Sequence, residues 1–327
     1  MLSSSDASAG IERELESHRR ALTGYCYRML GSGSEAEDAV QETMVRAWRA
    51  ADRLQERAAL KSWLYRIASN VCFDILQSAQ RRAQPMDLGP SSNADAALGA
   101  GLPESTWIQP IADARVLPTD GDPAALVDSR ETLRLAFVAA LQHLPPRQRA
   151  VLILREVLRW QATEVAELLD TSVASVNSAL QRARATLETL DLDAGDSAAA
   201  VDDAEQQELL RRYVDAFERY DISSLVTLLH DDAKFSMPPW PLWLEGPEQV
   251  APFMLGPGAH CEGSRVLVTS ANGGPAIAIY HPVENGWEPW AIVVLELHDG
   301  RIGGLHHFIY PELFAEFGLP PRLDADA

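Results

Sequence analysis

Apolar residues recur at helical spacing near the start of the chain. Over the stretch SEAEDAVQETMVRAW, residues 34–48, they fall at i, i+4, i+7 and i+8, which predicts an amphipathic helix. The predicted buried stripe consists of Val40, Met44, Ala47 and Trp48. The opposite face is polar and carries Asp38, Gln41, Glu42, Arg46 and Arg49. We therefore predict that one side of this helix packs in a core and that the other faces water or a partner.

A second amphipathic pattern follows in LKSWLYRIASNVCFDIL, residues 60–76. Its apolar seam is formed by Trp63, Leu64, Ile67, Ala68, Val71, Cys72, Ile75 and Leu76. Arg66, Asn70 and Asp74 stand at i, i+4 and i+8 on the other face. Arg81 and Arg82 come just after the predicted helix. We therefore expect a first helical domain over residues 11–84.

Periodicity is weak over residues 85–128, which are rich in Pro, Gly, Ala, Ser and Asp. A structureless segment of this length is uncommon inside a compact domain, so it is predicted to be a linker between domains. Trp107 and Ile108 are apolar enough that part of the linker is expected to lie on a surface.

Helical spacing returns over residues 129–190, which predicts a second helical domain. Two of its helices, QATEVAELLD and VASVNSALQRARATLETL, are separated by a short turn at Asp170, with Thr171 and Ser172 as N-cap residues. The second helix has a predicted buried stripe of Val173, Val176, Leu180, Ala183 and Leu187. Its other face carries Ser175, Asn177, Ser178, Gln181, Arg182 and Arg184. This pattern predicts a helix-turn-helix with hydrogen-bonding side chains for the major groove.

The last part of the chain, residues 204–320, changes from helices to strands. Long runs such as SRVLVTSANGGPAIAIYHPV and PWAIVVLELHDGRIGGLHHFIY contain Gly turns and predict antiparallel strands. Helices followed by a curved sheet predict an α+β cone around an apolar pocket. Candidate residues for that pocket or for a contact surface are Trp240, Trp243, Trp287, Trp290 and His306.

Composition narrows the class of protein. No stretch approaches the ~18–20 apolar residues of a membrane span, and the N-terminus lacks the pattern of a signal peptide. Cys26, Cys72 and Cys261 are far apart, so neither a disulfide framework nor a structural zinc site is expected. The sequence therefore predicts a cytoplasmic protein with no membrane, metal or cofactor.

The net charge of −19 is unevenly distributed. Residues 11–84 have 12 Lys and Arg against 10 Asp and Glu, and residues 129–190 have 8 against 6. From residue 191 onward there are 7 against 23, so the acidity belongs mainly to the C-terminal part. The two helical domains are only weakly basic, which predicts modest DNA affinity without a partner that holds them there.

The first two helices closely resemble region 2 of the extracytoplasmic-function sigma factors of bacterial RNA polymerase. The resemblance implies that Asp38, Gln41 and Glu42 dock on the coiled coil of the polymerase's largest subunit. It also implies that the second helix and the loop 53–59 before it handle the −10 promoter element, through Arg66, Asn70, Arg81 and Arg82. The linker resembles the segment that, in this family, threads towards the RNA exit path.

The segment LPPRQRAVLILREV with the helix-turn-helix after it resembles region 4 of the same family, which reads the −35 element. The −35 residues would be the six polar side chains of the second helix. The turn has Asp170 where the family commonly has Gly, and the helix has Asn177 and Ala179 where Lys and Arg are frequent. These departures bear on base preference and leave the docking mode unchanged.

The C-terminal part resembles the SnoaL-like branch of the NTF2-like fold, which a subgroup of these sigma factors carries after region 4. The resemblance implies a non-enzymatic sigma factor that binds the largest and second-largest subunits of core RNA polymerase and promoter DNA. The C-terminal domain would then regulate it. The alternative is a C-terminal domain that senses a small molecule or acts as a cyclase- or isomerase-like enzyme. An inward-facing carboxylate–histidine pair would favour the enzyme, and a collapsed apolar pocket would favour regulation.

Overall fold

The computed structural model of the chain describes residues 4–51, 59–118, 123–190 and 203–325. The chain divides into two compact units. The helical unit comprises residues 1–82 and 113–192. The C-terminal unit comprises residues 83–112 and 193–327. The residues 53–58 of the predicted −10 loop and the acidic stretch 191–202 lie outside the described residues.

In chain order, the α-helices are α1 (Ser4–Ser17), α2 (Arg19–Leu30), α3 (Gly33–Arg49), α4 (Leu60–Leu76), α5 (Pro85–Leu88), α6 (Asp113–Val116), α7 (Pro123–Glu131), α8 (Leu135–Gln142), α9 (Pro146–Leu152), α10 (Ala162–Leu168), α11 (Val173–Glu188), α12 (Asp203–Glu218), α13 (Ile222–Val226), α14 (Pro247–Leu255) and α15 (Leu313–Glu316). The strands are β1 (Leu229–Ser236), β2 (Trp243–Glu245), β3 (Arg265–Ala271), β4 (Gly274–Val283), β5 (Gly286–His298), β6 (Arg301–Phe308) and β7 (Leu323–Asp324).

Helix α3 begins where the sequence provides an N-cap. The Ser32 Oγ accepts a hydrogen bond from the Glu35 amide at 3.3 Å, which satisfies one of the free N–H groups of the first turn. Val40, Met44 and Ala47 are buried as predicted. Trp48 is 55% exposed, so its assignment to the buried stripe was wrong. Because the helix turns by 100° per residue, Trp48 lies nearer to Gln41 than to the core side.

The two predicted helical domains pack together within the helical unit. At the centre of their contact is Arg149, which is 3% exposed. Its Nη1 donates to the Met29 carbonyl of α2 and to Oε1 of Gln142 at 2.6 Å, and its Nη2 donates to the Leu144 carbonyl at 3.2 Å. A buried guanidinium is costly unless its donors are paired, so these bonds fix the two halves in one arrangement.

A second buried arginine strengthens this contact. Arg28 of α2 donates to the carbonyls of Thr132 at 3.1 Å and Ser129 at 3.4 Å, and to the Thr132 hydroxyl at 2.7 Å. Tyr65 of α4 packs against Trp160, with ring centroids 5.2 Å apart. Burial of aromatic surface adds apolar stabilisation to the hydrogen bonds.

The predicted helix-turn-helix corresponds to α10 and α11. Asp170 has φ 51° in the turn between them, a left-handed conformation that glycine adopts freely and aspartate tolerates better than most residues. Ser172 caps α11 by accepting a hydrogen bond from the Ser175 amide at 3.1 Å. Val176, Leu180 and Ala183 are buried as predicted, whereas Val173, at the first turn, is exposed.

The C-terminal unit is built on one seven-stranded sheet in the order β2-β1-β6-β5-β4-β3, with β7 paired to β5. Strands β1 and β6 are parallel, and the other neighbours are antiparallel. Helices α12, α13 and α14 supply apolar residues to a core on one face of the sheet. Because successive side chains of a strand point to opposite faces, about every second residue of each strand faces this core. That core includes Tyr213, Phe217, Phe235, Phe253, Ile277, Val293, Leu295 and Leu305.

The predicted linker 85–128 is divided between the two units. Residues 83–112 belong to the C-terminal unit and the described residues from 113 onward to the helical unit. Asn272, in the turn before β4, exchanges two hydrogen bonds of 3.1 Å with the Ile111 backbone. Trp107, Ile108 and Ile111 are buried, so this stretch packs as part of a domain because its apolar side chains avoid water. We call residues 83–112 the connector.

Candidate functional site

The polar face of α3 is open. Asp38, Gln41 and Glu42 are all exposed, and Trp48 and Arg49 extend the same side of the helix. Glu42 forms an ion pair with Arg46 at 2.7 Å, a surface contact of small energy. An exposed tryptophan among charged residues is typical of an anchor residue in a protein interface. The sequence pattern misassigned Trp48 because the i, i+7, i+8 spacing includes a position about 80° from Val40, and tertiary packing placed the edge of the core before that position.

The four residues predicted for the −10 element lie in different environments. Arg66 and Asn70 are exposed on successive turns of α4, and Arg81 is exposed after the helix. Arg82 is 8% exposed and forms a 2.7 Å ion pair with Glu35 of α3. Its guanidinium therefore supports the packing of α3, and no free donor surface is presented there.

Two of these arginines contact the second half of the helical unit. Arg66 Nη2 donates to the Glu167 carbonyl, in the last turn of α10, at 2.7 Å. Arg81 Nη1 donates to Nδ1 of His143, just after α8, at 2.6 Å. The packing of the two halves thus uses cationic groups that a nucleic acid would also need.

The outer face of α11 differs from that of α4. Its six predicted residues, Ser175, Asn177, Ser178, Gln181, Arg182 and Arg184, are all exposed. Arg182 donates to the Ser178 hydroxyl at 2.7 Å, and Arg184 pairs at 2.7 Å with Glu156, which precedes α10. These contacts stay within the second half, and the face as a whole remains accessible.

The tryptophans of the C-terminal unit do not form one surface. Trp243 is buried, and its Nε1 donates to the Gly89 carbonyl at 2.9 Å. Its own carbonyl accepts from the Ser92 amide at 2.8 Å. Trp240 packs against the domain core. Trp243 therefore holds the connector, which occupies the aromatic surface predicted for contacts with a partner.

Trp287 and Trp290 lie elsewhere on the sheet. Trp287 Nε1 donates to the Gly263 carbonyl at 2.8 Å, and the Arg265 guanidinium lies 5.2 Å from its ring centroid. Trp290 stacks on His281, with ring centroids 4.0 Å apart and planes inclined by 16°. Trp290, like Trp240, is partly buried and packs against the apolar core that contains Phe235 and Phe253.

A carboxylate, an imidazole and a hydroxyl are aligned on the sheet face opposite that core. Nε2 of His306 lies 3.3 Å from Oε2 of Glu296, and the other ring nitrogen lies 2.9 Å from the Ser236 hydroxyl. Gly304 permits this approach because a Cβ there would lie 2.8 Å from both Oε2 and Nε2. Ser236 and His306 are 1% and 2% exposed, so the hydroxyl and the imidazole are closed to solvent, whereas the Glu296 side chain is 22% exposed.

The neighbouring His306 determines the pKa of the Glu296 carboxyl. Burial by itself would raise its pKa, but the charge and hydrogen bond of His306 outweigh this and lower the pKa to about 2. His307, the next residue, points to the helix-covered face, where its ring centroid lies 4.4 Å from that of Phe235. Burial lowers the pKa of His307 to about 4. The histidine on the apolar side is thus His307 and not the predicted His306.

A further cluster escaped sequence analysis. His260 and Cys261 end the 3₁₀ turn Pro257–Cys261, and His281 lies on β4. One potential ligand atom from each residue lies within 4.8 Å of the other two. The spacing, with two adjacent ligands and a third 20 positions on, matches no common metal motif, and only the fold brings them together.

None of the described helices is long and apolar enough to cross a bilayer.

Comparison with known families matches residues 15–82 to Sigma-70 region 2, residues 134–187 to Sigma-70 region 4, and residues 210–303 to the SnoaL-like domain. These ranges coincide with the two halves of the helical unit and with most of the C-terminal unit.

The chain aligns with known relatives over nearly its whole length. The chain is 42% identical over 311 residues to the ECF RNA polymerase sigma factor SigG of Mycobacterium tuberculosis, covering 94% of this chain and 83% of the relative. It is 28% identical to SigJ of the same organism, covering 94% and 95%. The crystal structure of SigJ superposes with a TM-score of 0.59 at 23% identity, covering 94% of this chain and 99% of that one, and so shares the fold.

Proposed function

The chain belongs to the extracytoplasmic-function sigma factors of bacterial RNA polymerase, and from this premise we propose how its surfaces divide the work. The exposed face of α3 binds the largest subunit of core polymerase, with further contacts to the second-largest subunit. The face of α4 around Asn70 handles the −10 element, and α11 reads the −35 element. Because the polymerase works in the cytoplasm, we expect the protein there.

The observation that carries this proposal is the exposure of the polar faces of α3 and α11 over well-buried apolar faces. These polar side chains face water, so they are not needed to pack the core of the helical unit. Amide and hydroxyl groups on α11 suit base edges, and Asn177 and Gln181 suit adenine in particular. Arg182 and Arg184, late in the helix, suit phosphates.

Core binding is tested by a pull-down of purified core polymerase. Trp48→Ala should weaken binding by about 2 kcal/mol, or about 30-fold, because an interface tryptophan buries a large apolar area. Joint reversal of Asp38 and Glu42 to Lys should weaken binding as well, with folding stability changed by less than about 0.5 kcal/mol. Glu12→Lys, an exposed reversal on α1, is the matched control. Wild-type affinity in both test variants would overturn the assignment of α3.

We further propose that the C-terminal unit regulates the sigma factor by holding the connector. Trp243 binds it at Gly89 and Ser92, and Leu102 donates to the Pro239 carbonyl at 2.9 Å. The family resemblance implies that this part of the chain runs towards the RNA exit path of the polymerase. The same residues cannot be on the C-terminal sheet and in the polymerase, so release of the connector would accompany assembly with polymerase.

Substitution is a sharper test of this regulation than truncation. Removal of residues 191–327 would take away the sheet to which the connector is hydrogen-bonded. Trp243→Ala removes the Gly89 bond and the apolar contact, whereas Trp287→Ala is a control that leaves the connector in place. Trp243→Ala should change transcription with purified core enzyme and increase protease cleavage near residue 89. Equal transcription and cleavage in wild type and both variants would refute regulation through the connector.

The charge of the C-terminal part gives a second route to the same regulation. Its 7 basic against 23 acidic residues would reduce the DNA affinity of the weakly basic helical unit over a Debye length of roughly 8–10 Å. The DNA affinity of the free protein should therefore fall less steeply with salt concentration than expected from the phosphate contacts of the arginines on α4 and α11 alone. A small-molecule ligand of this domain would act by favouring the released connector.

A further inference from the structure

We propose that His260, Cys261 and His281 bind one zinc ion on the C-terminal unit, with a fourth position left to water. The residues offer two imidazole nitrogens and one sulfur, the donor set that zinc prefers over calcium or magnesium. None of these three residues belongs to the proposed promoter-binding surfaces, so the zinc proposal can be tested independently of them.

The turn that carries two of the ligands is held in place. Tyr220 Oη donates to the carbonyls of Met254, in α14, and of Gly258, the latter at 3.1 Å. Nδ1 of His260 donates to the Pro257 carbonyl at 2.9 Å. A carbonyl can only accept, so Nδ1 carries the proton and Nε2 keeps its lone pair. A backbone carbonyl that fixes the tautomer in this way is the usual outer partner of a metal-binding histidine.

The third ligand is prepared by the sheet. Nε2 of His281 is buried and makes no hydrogen bond among the described residues. The ring is stacked on Trp290 at 4.0 Å, which limits its rotation, and the His260 ring meets Trp290 edge-on at 5.5 Å. A buried nitrogen without a partner costs free energy, and a metal ion would supply the missing partner.

The distances suit closure around an ion by small side-chain movements. Tetrahedral zinc with N and S ligands separates its donor atoms by about 3.3–3.6 Å. The three ligand atoms lie within 4.8 Å of one another, so side-chain movements of roughly 1–1.5 Å bring them to the spacing of a zinc site. Binding converts the Cys261 thiol to a thiolate and releases its proton to solvent, and the two neutral imidazoles add no charge.

The site is placed where it can affect the connector. The turn Pro257–Cys261 directly follows α14, and Gln249 of α14 accepts a hydrogen bond from the Ala94 amide of the connector at 3.0 Å. Zinc would join the end of α14 to β4 and so stabilise the surface on which this part of the connector lies. Metal binding would thereby favour the held connector over the released one.

The test uses tag-free, full-length protein, stripped with a chelator and titrated with zinc chloride in competition with a chromophoric chelator. We expect one zinc ion per chain. Cobalt(II) in place of zinc should give the intense visible absorption of a tetrahedral ion and a thiolate charge-transfer band in the near ultraviolet. His260→Gln, Cys261→Ser and His281→Gln should each raise the zinc dissociation constant by about 100-fold or more.

The control is His230→Gln, which changes a partly exposed histidine of the same unit and should leave zinc affinity unchanged. His260→Gln keeps the test valid if the other variants unfold, because His260 is exposed and circular dichroism can confirm its fold. No stoichiometric zinc binding in the wild type would overturn the proposal. Equal affinity in His260→Gln and wild type, or a cobalt spectrum without a thiolate band, would also overturn it.

Discussion

The two helices assigned to promoter DNA lie in one packed unit, yet their outer faces are in opposite states. On α11 the polar side chains are exposed, and their contacts stay within the second half of the helical unit. On α4 and just after it, Arg66 and Arg81 donate to Glu167 and His143 of the other half, although Asn70 stays exposed. The proposed −35 surface is therefore accessible, while the proposed −10 surface first has to lose internal partners.

This difference suggests an order of events. The two halves are joined by Arg149, Arg28 and the packing of Tyr65 on Trp160, so α4 cannot be fully freed while the unit stays closed. A partner that binds α3 and separates the halves would release the arginines of α4 together. Core polymerase is that partner in the proposed function, which couples −10 recognition to assembly.

The largest expected effect comes from removal of the central arginine. Arg149→Ala leaves the Met29 carbonyl and the Gln142 side chain without their buried donor. We expect the free energy of unfolding of the helical unit to fall by about 3 kcal/mol or more, since charged hydrogen bonds contribute about 1.5–3 kcal/mol each. Urea denaturation followed by circular dichroism measures it.

The control for this change is Arg147→Ala, two residues earlier. Arg147 is exposed and lies 6.0 Å from the Phe73 ring centroid, so its loss should cost less than about 1 kcal/mol. If the two variants are equally stable, the two halves are not held together by Arg149, and the closed state of α4 loses its explanation.

The next effect concerns the exposed part of the −10 surface. Asn70→Ala should reduce open-complex formation by about 5- to 100-fold, because recognition of an unpaired base contributes about 1–3 kcal/mol. Permanganate reactivity of the −10 region reports the open complex, and a pull-down should show unchanged core binding. Gln77→Ala, exposed just beyond α4, is the control. Wild-type reactivity in Asn70→Ala would contradict the role of this face.

The α11 surface should respond in base preference. Asn177→Ala should change which −35 sequences are selected, with about 1–3 kcal/mol lost at one base pair. Arg184→Ala should weaken all sequences to a similar extent, because a phosphate contact carries no sequence information. Selection from a randomised −35 library measures both. The same preferred sequence for Asn177→Ala and wild type would remove Asn177 from the base-reading set.

The smallest effect tests the internal contact of Arg81. His143→Ala removes its acceptor, and the contact is exposed, so it contributes about 0–1 kcal/mol. Affinity of the free protein for single-stranded −10 DNA should therefore rise by up to about fivefold, whereas Arg81→Ala should lower it. Fluorescence anisotropy with a labelled oligonucleotide resolves such changes. A fall in affinity for His143→Ala would show that the contact does not compete with DNA.

Much of this protein could be predicted from its sequence, since local patterns determine much of it. The periodicity of α3, α4 and α11, the Ser172 cap and the turn at Asp170 depend on neighbours a few residues away. The family matches and the domain order followed from motifs of the same local kind. The polar faces of α3 and α11 were predicted by elimination, because residues that do not serve the core must face outward.

The tertiary structure decided what depends on distant partners. It placed Trp48 in solvent, buried Arg82 against Glu35, and turned His307 rather than His306 towards Phe235. It also assigned the connector to the C-terminal sheet and brought His281 to the adjacent pair His260 and Cys261. The physical reason is the same in each case: burial and pairing energies are set by residues far apart in sequence, whereas helical periodicity and capping are set by residues within a turn or two.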